Sequence, residues 1–86
     1  MAELLVKPTE LPGVKVIVPP TVFRDHRGVY VETYNEELYR RAGVAARFVQ
    51  DDISVSSRRV LRGIHADPRI WKLVDCLYGK FYLVVA

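Results

Sequence analysis

Apolar residues fall in short runs rich in Val, Ile, Phe and Tyr, each bounded by proline, glycine or a polar cluster. That pattern predicts strands rather than long helices. Residues 14–18 read as a first strand closed by Pro19-Pro20, because proline lacks the N–H that a ladder requires. Asp25-His26-Arg27-Gly28 reads as a turn between Thr21-Val22-Phe23 and residues 29–34, so these two pieces predict a hairpin. Residues 48–55, 60–65, 71–77 and 81–86 predict four further strands, separated by residues 56–59, 66–69 and 78–80. Strands at this close and even spacing imply an all-β sandwich or barrel.

One segment departs from the pattern. Residues 35–42 predict a short helix, with Asn35 as its cap, Glu36 and Glu37 at its positive end and Arg40 and Arg41 in its last turn. Gly43 then ends it. The final run, Phe81-Tyr82-Leu83-Val84-Val85-Ala86, is continuously apolar and reads as a strand buried on both faces. The expectation is that it takes cover from strands downstream or from a partner; the alternative is a central strand that comes last.

The chain has 86 residues, half of them apolar and 27% charged, which fits one globular domain and excludes a two-domain enzyme. No apolar run approaches the roughly 20 residues of a membrane span, and the start through Pro8 lacks the features of a secretion signal, so the expected location is cytoplasmic. The single cysteine, Cys76, has no partner for a disulfide and reads as a small core residue. Lysine and arginine number 13 against 10 acidic residues, a net charge of +3 with acidic side chains interleaved throughout. That balance argues against a nucleic-acid partner and suits arginines gripping one small anionic ligand such as a diphosphate.

A neutral imidazole takes up a proton near physiological pH, so both histidines are candidate bases; His65, at the end of residues 60–65, reads from the residues alone as a structural histidine or as that base. His26 reads as a solvated turn residue. Arg62 and His65 are three apart, so an unbroken strand places them on opposite faces unless Gly63 permits a bulge. Lys72 shares strand parity with Val74 and Cys76, an inward-facing set, where a lysine is costly unless paired or working, or unless its stem snorkels the ammonium to solvent. Tyr30 and Tyr34 share parity with Glu32 and so are candidates to line a pocket.

Phe23-Arg24-Asp25-His26-Arg27-Gly28, Glu32-Thr33-Tyr34-Asn35, Phe48-Val49-Gln50-Asp51-Asp52-Ile53-Ser54, Val60-Leu61-Arg62-Gly63-Ile64-His65 and Lys72-Leu73-Val74 together resemble the dTDP-4-dehydrorhamnose 3,5-epimerase family in wording, order and spacing. The resemblance runs from about Leu11 to Ala86. It implies a cupin-like jelly-roll β-barrel, of which residues 1–86 form the N-terminal portion. It also implies a homodimer that epimerises a nucleotide-diphosphate-linked 4-keto-6-deoxy sugar with no metal and no organic cofactor. By the same resemblance His65 is the base that removes the proton beside the ketone, and Lys72 stands near the enolate oxygen. Arg27, Glu32, Gln50, Asp51, Asp52 and Arg62 hold the nucleotide-sugar. Asp52 stands where the family commonly has asparagine, and the loop of residues 66–71 is shorter than usual. The family's proton-returning tyrosine and histidine-orienting aspartate lie beyond the matched positions. A catalytically inactive binding or dimerisation module is therefore the alternative.

Overall fold

The computed structural model describes residues 4–19 and 22–86; Pro20, Thr21 and the first three residues, on which parts of the strand boundaries and of the leader argument rested, lie outside the described residues. Four strands and one helix form in the order β1 (Leu5–Pro8), β2 (Lys15–Val18), β3 (Val22–Asp25), β4 (Gly28–Val31) and α1 (Glu36–Arg41). The strands make two separate antiparallel pairs, β1 with β2 and β3 with β4. Strand dominates the regular structure, as the all-β reading expects. The chain divides into two units, one running to Arg47 together with Ala86 and the other spanning Phe48–Val85.

In the first unit each connection has a local cause. Leu11-Pro12-Gly13-Val14 closes β1 onto β2: proline suits the second position of a type II turn, Gly13 supplies φ +82° at the third, and the Val14 N–H donates to the Leu11 carbonyl at 3.1 Å. Thr9 stitches the loop from inside, its hydroxyl donating to the Val14 carbonyl at 2.7 Å. β1 is absent from the pattern-based reading, although the Pro-Gly pair marks its turn. The predicted second hairpin forms in register, with Asp25 opposite Gly28 and Phe23 opposite Tyr30. It ends at Val31 rather than Tyr34, because Tyr34 leaves the ladder to stack edge-on against Tyr39 at 4.8 Å between ring centroids.

The helix follows its signals closely. Asn35 accepts from the Leu38 N–H at 3.1 Å. At the other end Gly43 adopts φ +92°, its N–H donating to the Arg40 carbonyl (3.1 Å) and that of Val44 to the Tyr39 carbonyl (2.8 Å), the paired closure of a Schellman motif. Six residues are too few for a helix to persist on propensity alone. Tyr39 anchors it: only 4% exposed, it donates its hydroxyl to the Thr33 carbonyl at 2.9 Å.

The second unit corrects the expectation of four strands. Residues 48–55, 60–65, 71–77 and 81–86 form no ladder among the described residues, which show turns at 58–59 and 68–69 and a bend at 78–79. Periodicity marks segments suited to strand, but a strand is completed by hydrogen bonds to a neighbour, and these segments have none. Residues 81–86 are accordingly exposed rather than buried, and Leu61 is 95% exposed. Cys76, expected in the core, is an exposed free thiol for the same reason. Lys72, Val74 and Cys76 form no inward-facing row; all three are exposed.

Two outcomes follow. The 86-residue chain alone is expected to self-associate at micromolar concentration, because its apolar positions exceed what it covers; a monodisperse, cooperatively unfolding monomer in sedimentation would contradict this. The second concerns pH. Glu37 is held below the usual carboxylate range, first by its hydrogen bond from Arg40 and then by the charges of Arg40 and Arg41. A depressed folded value means that the helix keeps this contribution above the ordinary glutamate value of 4.5 and loses it as pH falls through the lower folded value. Helical chemical shifts of residues 38–41 should therefore fade on acidification, and Glu37→Gln should remove the pH dependence.

Candidate active site

Arg27 and Glu32 lie in the first unit; Gln50, Asp51, Asp52, Arg62, His65 and Lys72 lie in the second. Arg27 occupies the two-residue tip of the β3–β4 hairpin, where Asp25 holds it twice over. The Arg27 N–H donates to Asp25 Oδ1 at 2.8 Å, and its Nη2 donates to Oδ2 at 2.5 Å. The guanidinium, and after it the backbone N–H, keeps the Asp25 carboxyl below its ordinary range, while Arg27 is pushed up by the same bond. Glu32 follows β4 directly and is half-buried.

Gln50, Asp51 and Asp52 are exposed. The Gln50 amide donates to Asp52 Oδ2 at 3.0 Å, so the structure joins two of the three residues assigned to this stretch. An aspartate here only accepts, whereas an asparagine both donates and accepts. Gln50 satisfies one carboxylate oxygen and leaves the pair rich in acceptors.

Arg62 bridges its own loop, Nε donating to Ser56 Oγ at 2.7 Å and Nη2 to the Val55 carbonyl at 3.2 Å. Both acceptors are neutral, and among the described residues no carboxylate pairs with this guanidinium. Gly63 follows with φ +141°, a conformation that side chains rarely adopt; residues 60–65 form no strand, so the bulge expected at Gly63 between Arg62 and His65 has no ladder to interrupt. His65 and Lys72 are exposed, and no hydrogen bond or ion pair joins Arg62, His65 and Lys72 to one another among the described residues. Tyr30 stays in its ladder with its ring 6.3 Å from that of Phe23, and Tyr34 packs on Tyr39.

The connection between His65 and Lys72 holds a feature that motif reading passes over as a separator. The Asp67 carbonyl accepts from the Ile70 N–H at 3.2 Å, closing a turn with Pro68 at its second position. Asp67 Oδ1 accepts from the Arg69 N–H at 3.0 Å and from Arg69 Nε at 3.1 Å, and Oδ2 accepts from Nη2 at 3.2 Å. The Arg69 side chain, then its backbone N–H, holds the Asp67 carboxyl below the usual range, with a smaller push from the charge on Lys72. The sequence signal is the one that marks the β3–β4 hairpin: Asp-x-Arg, here with proline between.

Elsewhere an open cleft of about 470 Å³ is lined by Cys76, Gly79, Lys80, Phe81 and Tyr82, with the Cys76 thiol donating to the Gly79 carbonyl at 3.4 Å. No group of three metal-ligating side chains is present among the described residues, and none of their helices is long and apolar enough to cross a membrane.

Comparison with known proteins bears on what these residues serve. The family model described as dTDP-4-dehydrorhamnose 3,5-epimerase matches residues 8–86. The chain is 46% identical over 84 residues to the dTDP-4-dehydrorhamnose 3,5-epimerase of Methanothermobacter thermautotrophicus, covering 95% of this chain and 45% of that protein. It is 40% identical over 78 residues to the Shigella flexneri protein of the same name, covering 86% of this chain and 42% of the relative. The dTDP-4-dehydrorhamnose 3-epimerase of Streptomyces niveus is 36% identical over 83 residues, covering 92% of this chain and 40% of its own length. The chain thus spans less than half the length of these relatives, and no solved structure matches it. With a match of this extent and the motif order described above, the chain belongs to the dTDP-4-dehydrorhamnose 3,5-epimerase family.

Proposed function

We propose that the chain is the N-terminal portion of a single-domain, cupin-like jelly-roll epimerase, cytoplasmic and homodimeric, that inverts a carbon beside the ketone of a nucleotide-diphosphate-linked 4-keto-6-deoxy sugar. The observation that carries this reading is the family match across residues 8–86. In the proposed mechanism His65 removes the proton from the carbon next to the ketone. The electron pair moves into an enolate whose oxygen faces Lys72, and a proton then returns to the opposite face of the same carbon. A proton on such a carbon is lost at a useful rate only if the developing oxyanion meets a donor or cation, which is the part given to Lys72. No cofactor takes part: a ketone already present in the substrate is the electron sink.

Arg62 is the strongest candidate for the diphosphate grip, since among the described residues its guanidinium is held by a hydroxyl and a carbonyl and paired with no carboxylate. Arg27 joins it in this reading, with Glu32, Gln50, Asp51 and Asp52 on the sugar and nucleoside. A second reading, a nucleotide-sugar-binding or dimerisation module without turnover, draws support from the exposure of both His65 and Lys72.

Solvent-deuterium incorporation into a dTDP-linked 4-keto-6-deoxyhexose, followed by NMR on the complete gene product, separates the two. In the epimerase His65→Ala should abolish exchange of the ring proton while nucleotide-sugar binding persists. Lys72→Ala should slow exchange by about two to three orders of magnitude, as expected for loss of one oxyanion donor, without changing which proton exchanges. Binding with no exchange in the unaltered protein would favour the module, and undiminished exchange in His65→Ala would remove the mechanism. By calorimetry, Arg62→Ala should weaken nucleotide-sugar binding by about 1.5–3 kcal/mol through loss of a charge-assisted bond. Equal affinity for the sugar with and without its diphosphate would count against the grip.

A further inference from the structure

The turn at residues 67–70 lies midway between the proposed base His65 and the proposed enolate partner Lys72, and the Asp67–Ile70 bond that closes it is flanked by three hydrogen bonds from Arg69 to the Asp67 carboxylate. We propose that Asp67 is a positioning residue: by clasping Arg69 it holds the 67–70 turn shut and so sets the span from His65 to Lys72. This rests on the epimerase reading and adds to it a residue that touches neither base nor enolate.

The geometry shows how the control operates. Three extended steps from residue 67 to residue 70 reach about 10–11 Å, whereas a closed turn keeps its ends within about 7 Å. Residues 66–71 are the whole connection, so opening the turn changes the reach available to Lys72 by several ångströms. Catalysis is sensitive on a smaller scale, since a misplacement of about 1 Å costs on the order of a hundredfold. Pro68 favours the closed form at the second position but cannot hold the third residue. The Asp67 carboxylate does that, because its Oδ1 binds the Arg69 N–H directly.

The two arms of the clasp are unequal. The guanidinium arm is solvent-facing, with the Arg69 side chain 86% exposed, and an exposed ion pair holds little. The backbone arm, Oδ1 to the Arg69 N–H, depends only on a side-chain acceptor two residues back. An asparagine keeps that acceptor and loses the charge; an alanine loses both. The inequality gives the positioning role a signature.

The test is steady-state epimerisation of the dTDP-linked 4-keto-6-deoxyhexose by the complete gene product carrying Asp67→Ala, Asp67→Asn or Arg69→Ala, with ¹⁵N relaxation of amides 65–72 as a substrate-free readout. Asp67→Ala is expected to lower kcat by about tenfold to a hundredfold with KM unchanged, and to loosen the Ile70 and Lys72 amides. Asp67→Asn should restore kcat to within about threefold, and Arg69→Ala should resemble it. An Asp67→Ala protein with unchanged kcat, one whose KM alone rises, or an Asp67→Asn protein as impaired as Asp67→Ala would overturn the proposal while leaving the epimerase reading intact. An unaltered protein that neither exchanges nor epimerises would remove the epimerase reading and this proposal with it.

Discussion

A carboxylate that accepts from a backbone N–H two residues ahead, and from the guanidinium of that same residue, closes the chain at both Asp25–Arg27 and Asp67–Arg69. Glu37 does related work one helical turn back from Arg40 and Arg41. These clasps span two to four residues, so they decide the shape of a turn or a helix end without drawing distant parts of the chain together. Each is solvent-facing, and an exposed pair contributes far less than burying one large apolar side chain. The order of sizes explains the molecule. Local charge fixes local conformation, Tyr39 supplies the one buried hydrophobic side chain among the described residues, and residues 48–86 keep their turns while leaving their apolar side chains in water.

The same comparison ranks the arginines of the proposed ligand grip. Arg27 is already neutralised by Asp25, so a diphosphate must displace a carboxylate to use it, though the displaced pair is exposed and weak. Arg62 is steadied by a hydroxyl and a carbonyl, which orient the fork without competing for its charge. An oriented, uncancelled guanidinium loses less entropy on meeting phosphate oxygens than a free one. On this argument Arg62 contributes more to the grip than Arg27, whatever their separation in the bound state.

How much was legible in the sequence depended on the distance over which each feature is decided. The β3–β4 hairpin and the helix are decided within a few residues, by Asp25 to Gly28 in one case and by Asn35, Glu37 and Gly43 in the other; the helix formed as read, and the hairpin formed about its turn with its second strand ending at Val31. β1 was equally legible from Leu11-Pro12-Gly13-Val14, a turn whose proline and positive-φ glycine stand where type II geometry wants them, yet it went unread. The strands expected in residues 48–86 are another matter: alternation records which side chains want covering, while a ladder needs a second strand that no local signal provides. At the proposed site, motif order names the residues, but the structure neither brings Arg62, His65 and Lys72 together nor forms a strand around Gly63. The clasp at Asp67 was written as Asp-Pro-Arg but looked like a spacer, because a turn residue acquires meaning only when the residues on either side of it have roles.

Stability and the proposed chemistry then ask for the same thing. Leu61, Ile64 and Trp71 lie beside Arg62, His65 and Lys72 in the chain and are largely exposed. Covering them removes apolar surface from water, which stabilises the fold. It also removes water from the neighbourhood of the lysine. Two unit charges 4 Å apart are worth about 1 kcal/mol in bulk water and about 4 kcal/mol at the effective dielectric of a partly enclosed protein site. An enolate facing Lys72 in the open therefore gains too little to make the carbon acid reactive, and the same enolate behind an apolar wall gains several times more. In the proposed mechanism, burial of the exposed apolar residues flanking His65 and Lys72 would serve both ends, stabilising the fold and lowering the dielectric around the enolate.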